Sequence, residues 1–420
     1  MTTDTGTKAL EAPFARTVGT LAPIAIILAS QAYATISLIP NFASAWHTSD
    51  EGAAWATTSF AIAFAFGSLL AAPLSHRLGR RGALVWSISA MAVITMLVPF
   101  TESLLSGSLV RAVQGVAAGV FSPVVYAYFG QRLPASRLAT AITIISCSLG
   151  GCLVVGQVAA QLLEPTFGWR SLFWISGPLL ALSAVAVHKV MLPDLPSPTT
   201  AKGSPQKAEQ SAPAPRSGLL RIVPFLVGGV ISLGGITSAY TAIQLYGPSG
   251  LAGDHDAMLG LRASALPALV LSVVLSPVLA RIVPKWRAAG ALTICGIGLG
   301  TAALLNDSVV GMGAAMFVTM LASSSATPAL VQSTGAAAGA AAGTGLAVFS
   351  FVLNLCAGLG AQVPALFGEF VPTALCLAAA YLVAALVVTL LGPTGARPHK
   401  DKVAARGVPS EKAEPVTQHS

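Results

Sequence analysis

Apolar blocks, each about 20 residues long, recur along nearly the whole of this chain, and that is the length needed to cross a bilayer once. One of them runs ATTSFAIAFAFGSLLAAPL, from Ala56 to Leu74. In hydrocarbon no water is available to satisfy backbone N–H and C=O groups, so such blocks must form helices. The period-two alternation of a membrane β-barrel is not seen. Composition agrees: 54% of the 420 residues are hydrophobic, only 9% are charged, and the mean hydropathy is +0.76. A soluble domain carries about a quarter charged residues.

The blocks lie at roughly 17–40, 52–74, 82–100, 106–130, 138–163 and 169–192, then at roughly 219–245, 259–280, 287–305, 309–330, 338–366 and 370–392. Between the sets lies LPDLPSPTTAKGSPQKAEQSAPAPRS, whose proline, serine and charge cannot bury a core. The sequence therefore predicts an all-α membrane protein of 12 transmembrane helices in two six-helix bundles. Its expected divisions are a cytoplasmic segment 1–16, a bundle 17–192, a linker 193–218, a bundle 219–392 and a cytoplasmic tail 393–420.

Charge gives the chain an orientation. With both termini in the cytoplasm, 20 of the 23 basic residues fall on inner segments, Arg170 and Arg262 fall outside, and Arg111 lies within a span. Asp50, Glu51, Glu102, Glu164, Asp254, Asp256, Asp307 and Glu369 fall outside. This is the positive-inside pattern, and it accounts for the net charge of +8 through short loops against anionic lipid, without nucleic acid as a partner. All five cysteines sit in apolar blocks without metal-ligand spacing, as small buried hydrophobes do. No cleavable signal pattern is expected at the N-terminal block, which is too long and lacks a small-residue cleavage site.

The two halves repeat. A shift of 204 positions sets Pro73 on Pro277, Arg77 on Arg281, Cys152 on Cys356 and Gly156 on Gly360. Similar halves predict a pseudo-two-fold axis along the membrane normal with a central cavity between them.

Three motifs then carry a resemblance. The turn after the second block reads APLSHRLGRR, LVRAVQGVAAG lies in the fourth block, and GGCLVVGQ followed by FGWRSLF ends the fifth. Together they resemble the major facilitator superfamily of twelve-helix transporters. Arg77, Gly79, Arg80 and Arg81 match the signature between its second and third helices; Ala72 replaces the leading glycine and His76 the aspartate. Arg111, Gln114 and Gly115 match its fourth-helix signature, and Gln157 stands where its antiporter signature has proline. The resemblance implies a gating role for the loop residues His76, Arg77, Gly79, Arg80 and Arg81. A histidine in place of the acid implies a weaker latch there. Gly79 itself suits a turn needing positive φ.

Arg111 is the charge placed within a span. Either it faces the bundle interior and organises coupling or substrate binding with Gln114 and Gly115, as the resemblance implies, or it snorkels to water. Gln31 takes the place of an acid found in the first helix of many drug–proton antiporters, and glutamine does not titrate. The proton gradient that the resemblance implies as energy source would then act through groups at the outer edge, Asp50, Glu51, Asp254, His255 and Asp256, which read more simply as solvated loop charge. Candidate cavity residues are Gln31, Tyr33, Tyr126, Gln157, Tyr240, Gln244, Asn354 and Gln362, each of which could instead bond a neighbouring helix. Pro123, Pro224, Pro328 and Pro364 are candidate kink sites.

Two functions fit. One is proton-driven export of small, largely apolar compounds across the cell (inner) membrane, by a monomer with no resident cofactor or metal. The other is uptake or exchange of a polar metabolite or organic anion, with Arg111 as counter-charge. No catalytic triad, metal cluster or phosphate-binding loop is visible for an enzyme, and no G-x-x-x-x-G-K-[ST] for an ATP-driven pump.

Overall fold

The structure, a computed structural model, describes residues 12–193, 220–248, 250–251, 254–279, 281–339 and 342–393. The expectations for the linker beyond residue 193, for the tail beyond 393 and for the first 11 residues lie outside the described residues. Among the described residues, ten helices are long and apolar enough to cross a membrane. They are Phe14–Ser37, Asp50–Leu69, Ala71–Phe100, Leu104–Arg132, Thr140–Phe167, Ser171–Val190, Val223–Tyr246, Pro284–Leu304, Val309–Ala338 and Phe370–Leu391. The eighth span is two helices, His255–Ala263 and Ala265–Leu279, and the eleventh is Ala342–Gly360. That makes the twelve-helix, all-α membrane fold.

Helix starts follow the local chemistry. Asp254 accepts hydrogen bonds from the backbone N–H groups of Asp256 and Ala257, and Ser308 does the same for Gly311. Ser103 and Ser106 cap each other reciprocally at the start of the fourth span. Each satisfies donors that a helix start leaves orphaned.

Three breaks share one cause. The second span is interrupted at Leu70, the fourth at Val120 and the eighth at Ser264. Pro73, Pro123 and Pro267 follow each break by three residues. A proline has no N–H for the carbonyl four residues back and clashes with it, so Leu69, Gly119 and Ala263 each end a helix. Of the four candidate kink sites, Pro224 instead sits in the first turn of its helix and Pro364 in a short 3₁₀ segment. Both are positions where the missing N–H costs little. Pro328 lies inside the tenth span.

Gly79, whose φ of 72° lies in the left-handed region, breaks the run Ala71–Phe100, so that its first residues complete the second span and the rest form the third. That conformation is open to glycine at little cost and to other residues only with strain.

The internal repeat is visible in the packing. A Cβ on Gly156 would lie 2.6 Å from the carbonyl oxygen of Ser30; a Cβ on Gly360 would lie 2.3 Å from that of Gly234. Ser30 and Gly234 are separated by the same 204 positions as the two glycines. So the first span grips the fifth as the seventh grips the eleventh, backbone against backbone. Close approach of this kind drives helix association in lipid, where the hydrophobic effect is absent.

The bundles meet along a seam. Gly358 of the eleventh span reaches Ala61 of the second, and Phe66 packs edge-on against Phe351 with centroids 5.4 Å apart. Gly151 of the fifth span lies against Leu269 of the eighth.

A buried arginine cluster and a closed end

The signature of the fourth span is a register of contacts along the second. Arg111, Gly115 and Gly119 recur at intervals of one helical turn and so share a face. Opposite them stand Ala56, Phe60 and Phe64, spaced alike. Arg111 Nε donates to the carbonyl of Ala56 at 3.0 Å. A Cβ on Gly115 would lie 2.1 Å from the Phe60 carbonyl oxygen, and one on Gly119 2.2 Å from that of Phe64. The two glycines bring the spans close enough for the arginine to reach across.

Arg111 is fully buried and does not snorkel. Its remaining groups donate to the Gln31 carbonyl at 2.6 Å and to Gln114 Oε1, and its guanidinium lies 4.5 Å from the centroid of Phe60. Gln114 Nε2 in turn donates to Thr95 Oγ1 at 2.7 Å. One cation thus ties the first, second and fourth spans together, and the third through Gln114. All its hydrogen-bond partners are neutral.

Arg111 is not alone, and here the sequence reading is corrected. Arg262, assigned to the outer surface, is 2% exposed. Because Asp254 starts the helix at His255 rather than four residues later, Arg262 lies nearly two turns inside the eighth span. It donates to Gln161 Oε1 of the fifth span and to Gln244 Oε1 of the seventh. Gln161 also donates to the His255 carbonyl at 2.8 Å. Neither Arg262 nor Gln161 was named as a site residue from sequence. The aspartate cap was the available signal for the first, and for the second its position one turn beyond Gln157.

The structure gathers some candidate residues and not others. Gln31, Arg111, Gln114 and Gly115 form the cluster in the first bundle. Tyr240 and Gln244, one turn apart, join Arg262 between the bundles, and Gln157 lies one turn from Gln161 on the same face of the fifth span. Gln362 donates to Thr58 Oγ1 at 2.7 Å, from the second bundle to the first. Tyr33 is buried in the core, Tyr126 is half-buried against it, and Asn354 bonds the Ser350 carbonyl of its own helix. Several buried polar atoms have no partner among the described residues, namely Gln31 Oε1, Gln157 Oε1, Tyr240 OH and Arg262 Nε.

The seam is closed at one end. Tyr246 OH donates to Glu51 Oε1 at 2.9 Å from the seventh span to the second. With Arg262–Gln161, Gln161–His255 and Gln362–Thr58, it lies in the half of the molecule nearer Glu51. Among the described residues, no side-chain hydrogen bond joins the bundles in the half nearer Arg77. There His76 and Arg77 are exposed, Arg81 donates to the His188 carbonyl within its own bundle, and among the described residues no hydrogen bond reaches the His76 ring. At the Glu51 end, Trp169 packs on Phe42 and Phe173 while Arg170 stacks on Trp169 and donates to the Pro99 carbonyl.

Among the described residues, no group of three or more His, Cys, Asp or Glu could hold a metal ion.

A sequence-family model described as Major Facilitator Superfamily matches residues 21–361. A tetracenomycin C resistance and export protein of Streptomyces glaucescens is 25% identical over 46% of this chain and 38% of its own length. A voltage-gated purine nucleotide uniporter of Mus musculus is 29% identical over 38% of this chain and 36% of its own. The chain thus spans less than half the length of either relative. The solved structure of the xylose transporter XylE from E. coli, in an inward open conformation, superposes with a TM-score of 0.67 at 13% identity, covering 90% of this chain and 96% of that one.

Proposed function

The chain belongs to the Major Facilitator Superfamily, and from that premise we propose that it exports small, largely apolar compounds across the cytoplasmic membrane by alternating access, in exchange for protons. A multi-pass membrane transporter of this superfamily moves small molecules; direction, cargo and driving force are the proposed part. The observation that carries the reading is the seam, bonded between bundles only in the half nearer Glu51 among the described residues. A molecule built this way presents one end of its interior at a time. Positive charge at the Arg77 end supports a cytoplasmic side for that end, and the export activity of the Streptomyces relative favours the outward direction. The functional unit is taken as a monomer in contact with lipid.

No Asp or Glu is buried among the described residues, so proton coupling is assigned to the seam. Glu51 is the carboxylate that joins the bundles. Protonation removes its charge, weakens the bond that it accepts from Tyr246, and frees the closed end to part. Glu51→Gln keeps an acceptor for Tyr246 but cannot titrate.

Susceptibility of cells to a panel of toxic compounds, with and without the gene, gives the cargo, and uptake of a hit into everted vesicles gives the coupling. Wild-type uptake is expected to depend on an imposed pH gradient, and E51Q to transport at a rate indifferent to it. Sensitivity that is the same with and without the gene for every compound contradicts the export reading. A full pH-gradient response in E51Q removes Glu51 as the proton carrier.

A further inference from the structure

Arg111 and Arg262 differ in one respect. Every nitrogen of Arg111 has an acceptor, two of them helix carbonyls that cannot move away. Arg262 is held by two glutamine side chains, which can rotate, and its Nε–H is buried without an acceptor. Tyr240 lies one turn from Gln244, the seventh-span partner of Arg262, and its hydroxyl is buried and also without a partner among the described residues. The cation thus keeps one donor of its own unused, a second unused donor lies one turn from its Gln244 partner, and among the described residues no anion bonds it. A buried charge normally finds a counter-charge, and a buried hydrogen bond left unmade is costly.

We propose that Arg262 and Tyr240 form a carboxylate-binding site, so that the cargo is a largely apolar molecule with one carboxylate. This rests on the reading of the chain as a carrier of small compounds and deepens it by naming the cargo's chemical class. A planar carboxylate fits the guanidinium fork, taking the Nε–H and one Nη–H together while the phenol donates to it. The Nη on the Nε–H side of the fork is Nη2, which donates to Gln244 of the same bundle, so a bound carboxylate takes the place of Gln244.

The test is thermal unfolding of the purified full-length protein in nanodiscs, titrated with benzoate, 1-naphthoate and indole-3-acetate. Each is paired with its neutral amide, and sodium chloride is titrated at matched ionic strength. At least one carboxylate is expected to bind ten times more tightly than its amide. In Arg262→Gln that ratio falls to within about twofold; in Arg262→Lys, which keeps the charge but not the fork, it is intermediate. Tyr240→Phe keeps the ring and is expected to lose severalfold, which gives a reading if R262Q does not fold. The site is overturned if no carboxylate outdoes its amide, if R262Q keeps the full ratio, or if chloride reproduces the stabilisation. The two readings fail separately: export of neutral compounds without carboxylate preference sinks the site alone. Carboxylate binding without export by cells sinks the direction alone.

Discussion

Gly156→Leu is expected to remove most of the folded protein from the membrane. The first and fifth spans touch through backbone at this point, with a Cβ on Gly156 placed 2.6 Å from the Ser30 carbonyl oxygen. Backbone cannot rotate aside as a side chain does, so the helices must separate and give up the contacts along their shared face. Overpacking a core costs typically about 1–3 kcal/mol, and a clash with backbone belongs at or above the top of that range. Gly360→Leu, which meets Gly234 in the second bundle, is expected to do equal damage. Gly150→Leu, on the same helix but with nothing within 4 Å of its Cβ, is the control and should leave protein level and melting temperature unchanged. Equal folded yields of G156L and G150L contradict the packing described for the repeat.

Arg111→Ala is expected to lower transport of an exported compound at least tenfold at unchanged protein level. The arginine is the tie between three spans, and a hydrogen bond to a charged group contributes about 1.5–3 kcal/mol, where about 1.4 kcal/mol is a factor of ten. The carbonyls of Gln31 and Ala56 lie within helices, so the loss should fall on the relative positions of the first and second spans more than on folding. Arg111→Lys should rescue little, because a single ammonium cannot serve Ala56, Gln31 and Gln114 from one planar fork. Initial rates in everted vesicles give the comparison. Transport retained in R111A means that the cluster is structural filler.

Much of this was legible in the residues. Apolar length gave the spans and their order, the 204-residue repeat gave Gly156 and Gly360 equivalent contacts, and Gly79 adopts the positive φ that its turn requires. The break in the eighth span is written in Pro267, and the buried state of Arg262 in the cap at Asp254. The charge pattern hid the second, because Arg262 falls at the outer edge of the block at roughly 259–280 and reads there as the end of a loop. The partners of the two arginines were not legible. Gln161, Gln244 and the carbonyls of Gln31 and Ala56 meet them only through the register between helices, which side-chain packing across the whole bundle sets. The same holds for Glu51 and Tyr246, which are far apart in sequence and opposed only once the bundles dock.

The account stands on two bundles that part at one end as they close at the other. Spin-label distances measured in nanodiscs, with one pair at Ser49 and Glu369 and a second at Arg77 and Arg281, read both ends of the seam directly. On acidification, and again on adding a transported compound, the Ser49–Glu369 distance is predicted to lengthen as the Arg77–Arg281 distance shortens, with E51Q insensitive to acid. Distances that stay fixed under every condition, or that lengthen and shorten together at both ends, would contradict it.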